Sequence, residues 1–297
     1  MNSYKEMLKE SAQRTGNCAC MGLDIQWDVL PGRTGDICTD IERFYETLFN
    51  EMVKRNLSPA AFKPNIGYYH ALDNPREGSF DGSIALAKTL KMVEQLFENI
   101  PVILDSKRGD IARSSINYAH EAFDIWKTNA VTVSPYMGSD SVLPFLDEEH
   151  ARYGIYVLNR TSNPGGKDLQ QLVVVDEVDE KELYPLYLAV AHTIARWSQV
   201  NGNIGAVVGA THPDELAEIA HYFSSKEIPL LIPGVGSQGA SAKETVVVLR
   251  DSQYPVELAR INSSSALTHP WKKAPAPAAW LDMCISNIEN LLEETSV

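Results

Sequence analysis

Short apolar runs recur along the chain, each closed by a turn and followed by a stretch with helical periodicity. The runs are CACMGLD (18–24), AAFKPN (60–65), PVILDSK (101–107), AVTVSP (130–135), GIYVLN (154–159), IGAVVGA (204–210), PLLIPGVG (229–236) and ARINSSSA (259–266). Apolar runs without alternation fit strands buried on both faces, as in a parallel sheet. Between them lie amphipathic segments at 39–55, 83–97, 114–126, 181–198, 213–224 and 240–251. A polar helix is predicted at the N-terminus. A last helix is predicted from about 279 to 294, after the stiff connector KKAPAPAA. Thr211 is expected to cap the helix at 213–224, which carries acidic residues in its first turn. Eight strand–helix units predict a (β/α)8 TIM barrel, with residues 1–297 as one domain. A doubly wound open sheet is the rival; its dinucleotide form is weakened because no GxGxxG follows the first run. Segment 167–185 lengthens the loop after the fifth run, and its LVVV reads as an extra strand or a buried patch.

Polar residues mark where these runs end: Asp24, Lys63, Asp105, Lys107, Ser162, Gln238 and Ser264. In a barrel, the C-terminal strand ends share one rim, where active sites sit. Strand ends are also polar simply because they meet water, so one such residue says little. The cluster DSKRGD at 105–110 says more. Alternation along a strand puts Asp105 and Lys107 on one side and Ser106 on the other. Lys63, from the neighbouring strand, joins them, and each charge favours the charged form of the other. Asp110 lies past the strand, where the pleat fixes no direction. The array fits catalysis, and it also fits a structural ion-pair network.

The interleaved lysines disfavour a hard cation. No histidine pair has zinc spacing, and His120 and His192 read as packing or surface residues on helices. No GxSxG supports a serine nucleophile. Metal-free proton chemistry is the remaining reading, with lysine as acid or base and carboxylates placing charge. The net charge of −13 argues against nucleic acid or an anionic membrane as partner, yet leaves room for one anionic small molecule held by local donors. Cys18, Cys20, Cys38 and Cys284 lack zinc or redox spacing and are expected to be reduced thiols of a cytoplasmic protein. The N-terminus shows no apolar signal core, and no run of about 18 apolar residues predicts a membrane span.

The stretch LDSKRGDIARSSINYA closely resembles the signature of the orotidine 5′-phosphate decarboxylase family in its longer bacterial-type form. Other blocks agree in order and strand position: GLD (22–24), FKPN (62–65), VSPYMGSDSVLPFL (133–146), TSNPGG (161–166) and PGVGSQGA (233–240). The DxKRGDI block is specific, whereas the shorter DxKxxD pattern is shared with related sugar-phosphate barrel enzymes. The resemblance implies decarboxylation of orotidine 5′-monophosphate to UMP in pyrimidine biosynthesis, without metal or cofactor. Lys63, Asp105, Lys107 and Asp110 match the family's Lys-Asp-Lys-Asp array. Lys107 would protonate C6, with Asp105 beside the departing carboxylate. The resemblance also implies a homodimer in which Asp110 reaches the partner's site, as does Ser114, which stands where the family usually has Thr. Asp24 matches a ribose-hydroxyl ligand, Ser162 a pyrimidine contact and Gln238 a phosphate ligand on a closing loop.

One departure concerns the phosphate. Where the family usually reads like NSSRAI, this chain has INSSSAL, and Ser265 replaces the arginine. Arg260 lies at the start of the strand, the wrong end of a barrel. Ser264, Ser265, Gln238 and backbone N–H groups near Gly236 remain as donors, so weaker use of the phosphate is expected. Two other readings stay open: a different phospho-sugar decarboxylase or epimerase, and a catalytically inactive nucleotide-binding barrel.

Overall fold

The computed structural model describes residues 3–175, 183–236 and 239–297. Its strands, in chain order, are β1 (Ala19–Gly22), β2 (Ala61–Lys63), β3 (Ile103–Arg108), β4 (Ala130–Val133), β5 (Gly154–Arg160), β6 (Val173–Val175), β7 (Leu183–Pro185), β8 (Ile204–Val208), β9 (Leu230–Ile232) and β10 (Ala259–Ser263). Eight of them form one parallel sheet in the order β2-β1-β10-β9-β8-β5-β4-β3. The two ends meet through the bridges Phe62↔Val102 and Asn65↔Asp105, which close the barrel and set Lys63 beside Asp105. The (β/α)8 prediction holds. The closure rests on Phe62 N–H donating to Pro101 O at 3.0 Å and Asp105 N–H donating to Pro64 O at 2.9 Å.

The pleat explains what each strand offers. Phe62 turns outward and packs its ring against Phe49 of one surrounding helix and Phe97 at the end of another. Its neighbour Lys63 therefore turns inward. The N-terminal helix, Tyr4–Thr15, starts with a capping box between Ser3 and Glu6 and ends at Gly16 in the left-handed conformation. Though polar on average, it buries Tyr4, Leu8 and Ala12 completely or nearly so. It covers the N-terminal end of the barrel: Tyr4 Oη donates to Tyr156 Oη at 3.1 Å, and Arg260 Nη2 donates to Leu8 O at 2.6 Å. Arg260 also donates to Glu257 O and Ala259 O, so its buried charge is held by carbonyls far from the opposite rim. Cys18 and Cys20 are buried in the same region, and burial pushes their thiols up to about 12.

Several boundaries differ from the sequence reading for physical reasons. The run 259–266 is strand only to Ser263; Ser265–Thr268 turns back as a short helix. The helix expected at 181–198 starts at Leu186, because Leu183–Pro185 is a strand. That strand pairs with Val173–Val175 as an antiparallel hairpin, so LVVV supplies an extra strand. It is no buried patch: Val173, Val175 and Leu183 are all exposed. The helix expected at 114–126 begins at Ala112 and widens into a π turn over Glu121–Ile125. Thr211 does not cap the helix Pro213–Ser224, whose N-cap is His212 without a side-chain bond. The Thr211 hydroxyl donates instead to Ser162 O at 3.2 Å, tying together two loops of the rim.

Candidate active site

The C-terminal strand ends surround a cavity of about 510 Å³. Asp24, Lys63, Asp105, Lys107, Ser162, Ser264 and Ser265 all line it, so most of the residues picked from the sequence converge. A larger cavity of about 910 Å³ opens at the other end of the barrel, among Tyr4, Val93, Phe97, Trp126 and Tyr153. Chemistry, rather than size, assigns the site to the smaller one.

Asp105 is the hub. Lys63 Nζ lies 2.9 Å from its Oδ2, and Lys107 Nζ lies 2.5 Å from its Oδ1. Burial would raise the Asp105 pKa, but the two ammonium groups outweigh it and hold the carboxyl well below the usual carboxylate range. Burial would likewise depress Lys63, yet Asp105 and Asp24 outweigh it and hold this ammonium above its ordinary value. Asp105 and Lys63 therefore stay ionised in a nearly dry setting: Lys63 is 3% exposed and Asp105 8%. Lys107 is the open end, its side chain 49% exposed.

Asp105 and Lys107 do meet, but not through plain alternation. The β3–β4 register shifts between Leu104 and Arg108, and Lys107 has φ +48°, a left-handed value that is uncommon without glycine. Thr132 on β4 organises this bulge. Its hydroxyl accepts from Ser106 N–H at 3.0 Å and Lys107 N–H at 2.9 Å, and donates to Asp105 Oδ1 at 3.0 Å. Sequence reading missed Thr132; the signal was a lone hydroxyl inside the buried run AVTV.

Asp110 and Ser114 do not line the cavity of their own chain. Asp110 Oδ1 accepts from Ile111 N–H at 2.8 Å, at the start of the helix that carries Ser114. Gln238 lies outside the described residues. Gly236 N–H donates to Ala240 O at 3.0 Å, which removes it as a phosphate donor. Ser162 sits where glycine permits close approach. A Cβ at Gly209 would lie 2.8 Å from Ser162 Cα, and one at Gly234 (φ +105°) 3.2 Å from Ser162 Cβ. On the far wall, a Cβ at Gly22 would lie 1.8 Å from Ser264 Oγ, so β1 must carry glycine there for the residue after β10 to pack.

Two more residues of that wall escaped the sequence reading, Asn262 and His269. Asn262 is a polar residue within a buried strand, a readable signal; His269 follows the strand in a segment that gave none. Burial lowers the His269 pKa, and Asp24 opposes that only in part. His120 and His192 are remote from the cavity: His120 pairs with Asp124, and His192 packs on Tyr184 and Tyr222.

The family model described as orotidine 5′-phosphate decarboxylase / HUMPS family matches residues 50–253. A curated protein named orotidine 5′-phosphate decarboxylase from Cupriavidus taiwanensis is 36% identical over 293 residues, covering 97% of each chain. The solved Leishmania donovani OMP decarboxylase is 30% identical, with TM-score 0.71 and 99% of each chain covered. Leishmania donovani UMP synthase is 32% identical with TM-score 0.71; the match covers 98% of this chain and 57% of that one.

Proposed function

The chain belongs to the orotidine 5′-phosphate decarboxylase family, and we propose that it converts orotidine 5′-monophosphate to UMP in pyrimidine biosynthesis, acting without metal or cofactor and with residues 1–297 as one domain. The observation that carries this reading is the Asp105 carboxylate held between Lys63 and Lys107 at the barrel's C-terminal rim. Loss of carbon dioxide from an sp² ring carbon leaves a lone pair in the ring plane, outside the π system. Delocalisation helps little, so a fixed cation and a proton must be at hand. An ammonium already oriented in a water-poor site stabilises such charge without reorganising. Lys107, open to the cavity, delivers the proton to C6. Asp105, charged at neutral pH, lies beside the departing carboxylate and holds Lys107 in place. Lys63 balances Asp105 from the buried side. Asp24 meets the ribose, Ser162 the pyrimidine, and Ser264, Ser265 and Gln238 the phosphate.

Loss of orotidine 5′-monophosphate ultraviolet absorbance tests this directly. Turnover is expected with the intact protein, and Lys107→Ala is expected to lower kcat by at least about 10⁴-fold, as for loss of an acid that is also the stabilising charge. An intact, folded protein without turnover would leave the inactive nucleotide-binding reading, and turnover of another phospho-sugar in its place would identify a different barrel enzyme.

The working unit is a homodimer in which Asp110 and Ser114 serve the partner's site. Both stand off their own cavity, and the loop carrying Asp110 adjoins the one after β4, since Ser134 N–H donates to Arg108 O at 2.7 Å. These loops expose Ile111, Tyr136 and Met137, an apolar ridge suited to a partner. Mixing Lys107→Ala with Asp110→Ala is expected to restore one good site per mixed dimer; no recovery after verified subunit exchange would place Asp110 in its own chain. Among the described residues no helix is long and apolar enough to cross a membrane. The free thiols of Cys18, Cys20, Cys38 and Cys284 fit a cytoplasmic setting.

A further inference from the structure

The wall formed by β1, β10 and the short helix after β10 holds three buried polar atoms without a protein partner among the described residues. They are Asp24 Oδ1, Asn262 Oδ1 and His269 Nε2. All three residues line the same cavity. His269 is 2% exposed and Asn262 7%. Buried polar groups are normally paired, and leaving one unpaired is costly, so three in one cavity wall point to a ligand that pairs them.

Hydrogen-bond bookkeeping fixes what each atom asks for. Asp24 Oδ1 is an acceptor. Asn262 Nδ2 donates to Ser264 Oγ at 3.3 Å, which leaves Asn262 Oδ1 as a second acceptor. His269 Nδ1 lies 2.9 Å from Thr268 Oγ1. The Thr268 hydroxyl has one proton, and its other neighbour, Ser264 O, is 3.3 Å away. That carbonyl already accepts from Leu267 N–H at 2.9 Å and Thr268 N–H at 3.2 Å, which uses both lone pairs. We therefore assign the Thr268 proton to Nδ1, its shorter contact, which puts the ring N–H on Nε2. The wall offers two acceptors and one donor.

A phosphate answers this poorly, because it would bring acceptor oxygens to two acceptors. A hydroxyl both donates and accepts, and a vicinal pair of hydroxyls satisfies all three atoms. We propose that His269 and Asn262, with Asp24, form a hydroxyl-reading pocket that makes the enzyme specific for ribose over deoxyribose, with His269 Nε2–H donating to a sugar oxygen whose own proton goes to a carboxylate or amide oxygen. The proposal rests on the decarboxylase reading for the identity of the sugar. It assigns to two residues outside the charged array the task of rejecting deoxynucleotides. A missing hydroxyl leaves buried groups unpaired on the protein side, which is how sites built for a hydroxyl reject analogues without it.

The test is binding of UMP, 2′-deoxy-UMP, 3′-deoxy-UMP and uridine to the intact protein and to His269→Ala and His269→Gln, each checked for folding by its thermal transition. The intact protein is expected to bind UMP at least about 30-fold tighter than one of the deoxy analogues. In His269→Ala that ratio is expected to fall about tenfold, while the ratio of UMP to uridine stays constant. His269→Gln, which keeps a donor, is expected to recover part of the discrimination. Equal weakening of all four ligands in His269→Ala would make the residue structural and overturn the proposal. A change confined to the UMP-to-uridine ratio would assign His269 to the phosphate and overturn it as well. Orotidine 5′-monophosphate turnover is measured alongside. Discrimination lost in His269→Ala with no turnover in the intact protein strikes the activity and leaves the sugar pocket. Turnover without discrimination does the reverse.

Discussion

On the β2–β3–β4 wall of the cavity, Lys63, Lys107 and Thr132 all bind Asp105, whereas on the adjoining β1–β10 wall Asp24, Asn262 and His269 each keep an atom without a protein partner among the described residues. The first wall is finished before any substrate arrives. Its charged groups are held and oriented, as a site that must stabilise charge in the transition state requires. The second wall is finished only by its ligand. Preorganisation and recognition are thus divided between two faces of one barrel, and substitutions on the two faces should fail differently.

Removing the hub breaks the finished wall most severely. Asp105→Asn strands the buried Lys63 ammonium, and breaking a buried pair in this way costs about 3–5 kcal/mol. The pH dependence has a definite sign. In the intact protein Asp105 has a lowered pKa, so its contribution is present above about 3.9 and is lost as pH falls through its lower folded value. Lys63 has a raised pKa, so its contribution is present below about 10.4 and is lost as pH rises through its higher folded value. The pair therefore adds no slope between roughly pH 5 and 9. In Asp105→Asn burial dominates Lys63 and lowers its folded value. The folded state then binds fewer protons than the unfolded one, and stability falls as pH falls, by up to about 1.4 kcal/mol per pH unit. Urea unfolding at pH 6 and pH 9 checks this; an equal loss at both would mean that Lys63 stays charged with Asp24 alone. Turnover should be lost as well, by at least about 10³-fold.

Thr132→Val loosens the same wall without touching a charge. Valine fits the space but leaves the half-buried N–H groups of Ser106 and Lys107 without their acceptor, at about 1 kcal/mol each. The bulge that aims Lys107 should relax, and kcat should fall about 10–100-fold with KM nearly unchanged. Thr132→Ser, which keeps the hydroxyl, should restore most of the rate. A fall in KM and kcat together, or no rescue by serine, would separate Thr132 from the aim of Lys107.

How far the sequence reached follows the same division. The barrel was readable because eight apolar runs alternate with helical segments. The charged array was readable because Asp and Lys at the end of a buried strand are costly unless their charges meet. Asp105 and Lys107 were paired by alternation, although a left-handed residue and a register shift bring them together. Both depend on Thr132, one strand away, which local periodicity does not report. His269 was invisible for a related reason. Its significance lies in Thr268 taking up Nδ1 and in the cavity reaching the ring, and a chain of isolated histidines carries neither fact.

The smallest expected effect tests the other face at its phosphate end. Ser265 lines the cavity where the family resemblance places an arginine, and the turn at Gly236 spends its N–H on Ala240 O. A neutral hydroxyl is therefore asked to do what a guanidinium does with two parallel charge-assisted bonds. Ser265→Arg should add a contact of about 1.5–3 kcal/mol, less the entropy of ordering a long side chain. The net expectation is a KM for orotidine 5′-monophosphate lowered about tenfold, with kcat changed less than about threefold, because the β2–β3–β4 wall is untouched. Binding of UMP should tighten and binding of uridine should not. Equal tightening of both would mean that the new side chain packs against the nucleoside. An unchanged KM would mean that the phosphate is gripped elsewhere on the rim, and that the serine at 265 costs this enzyme nothing.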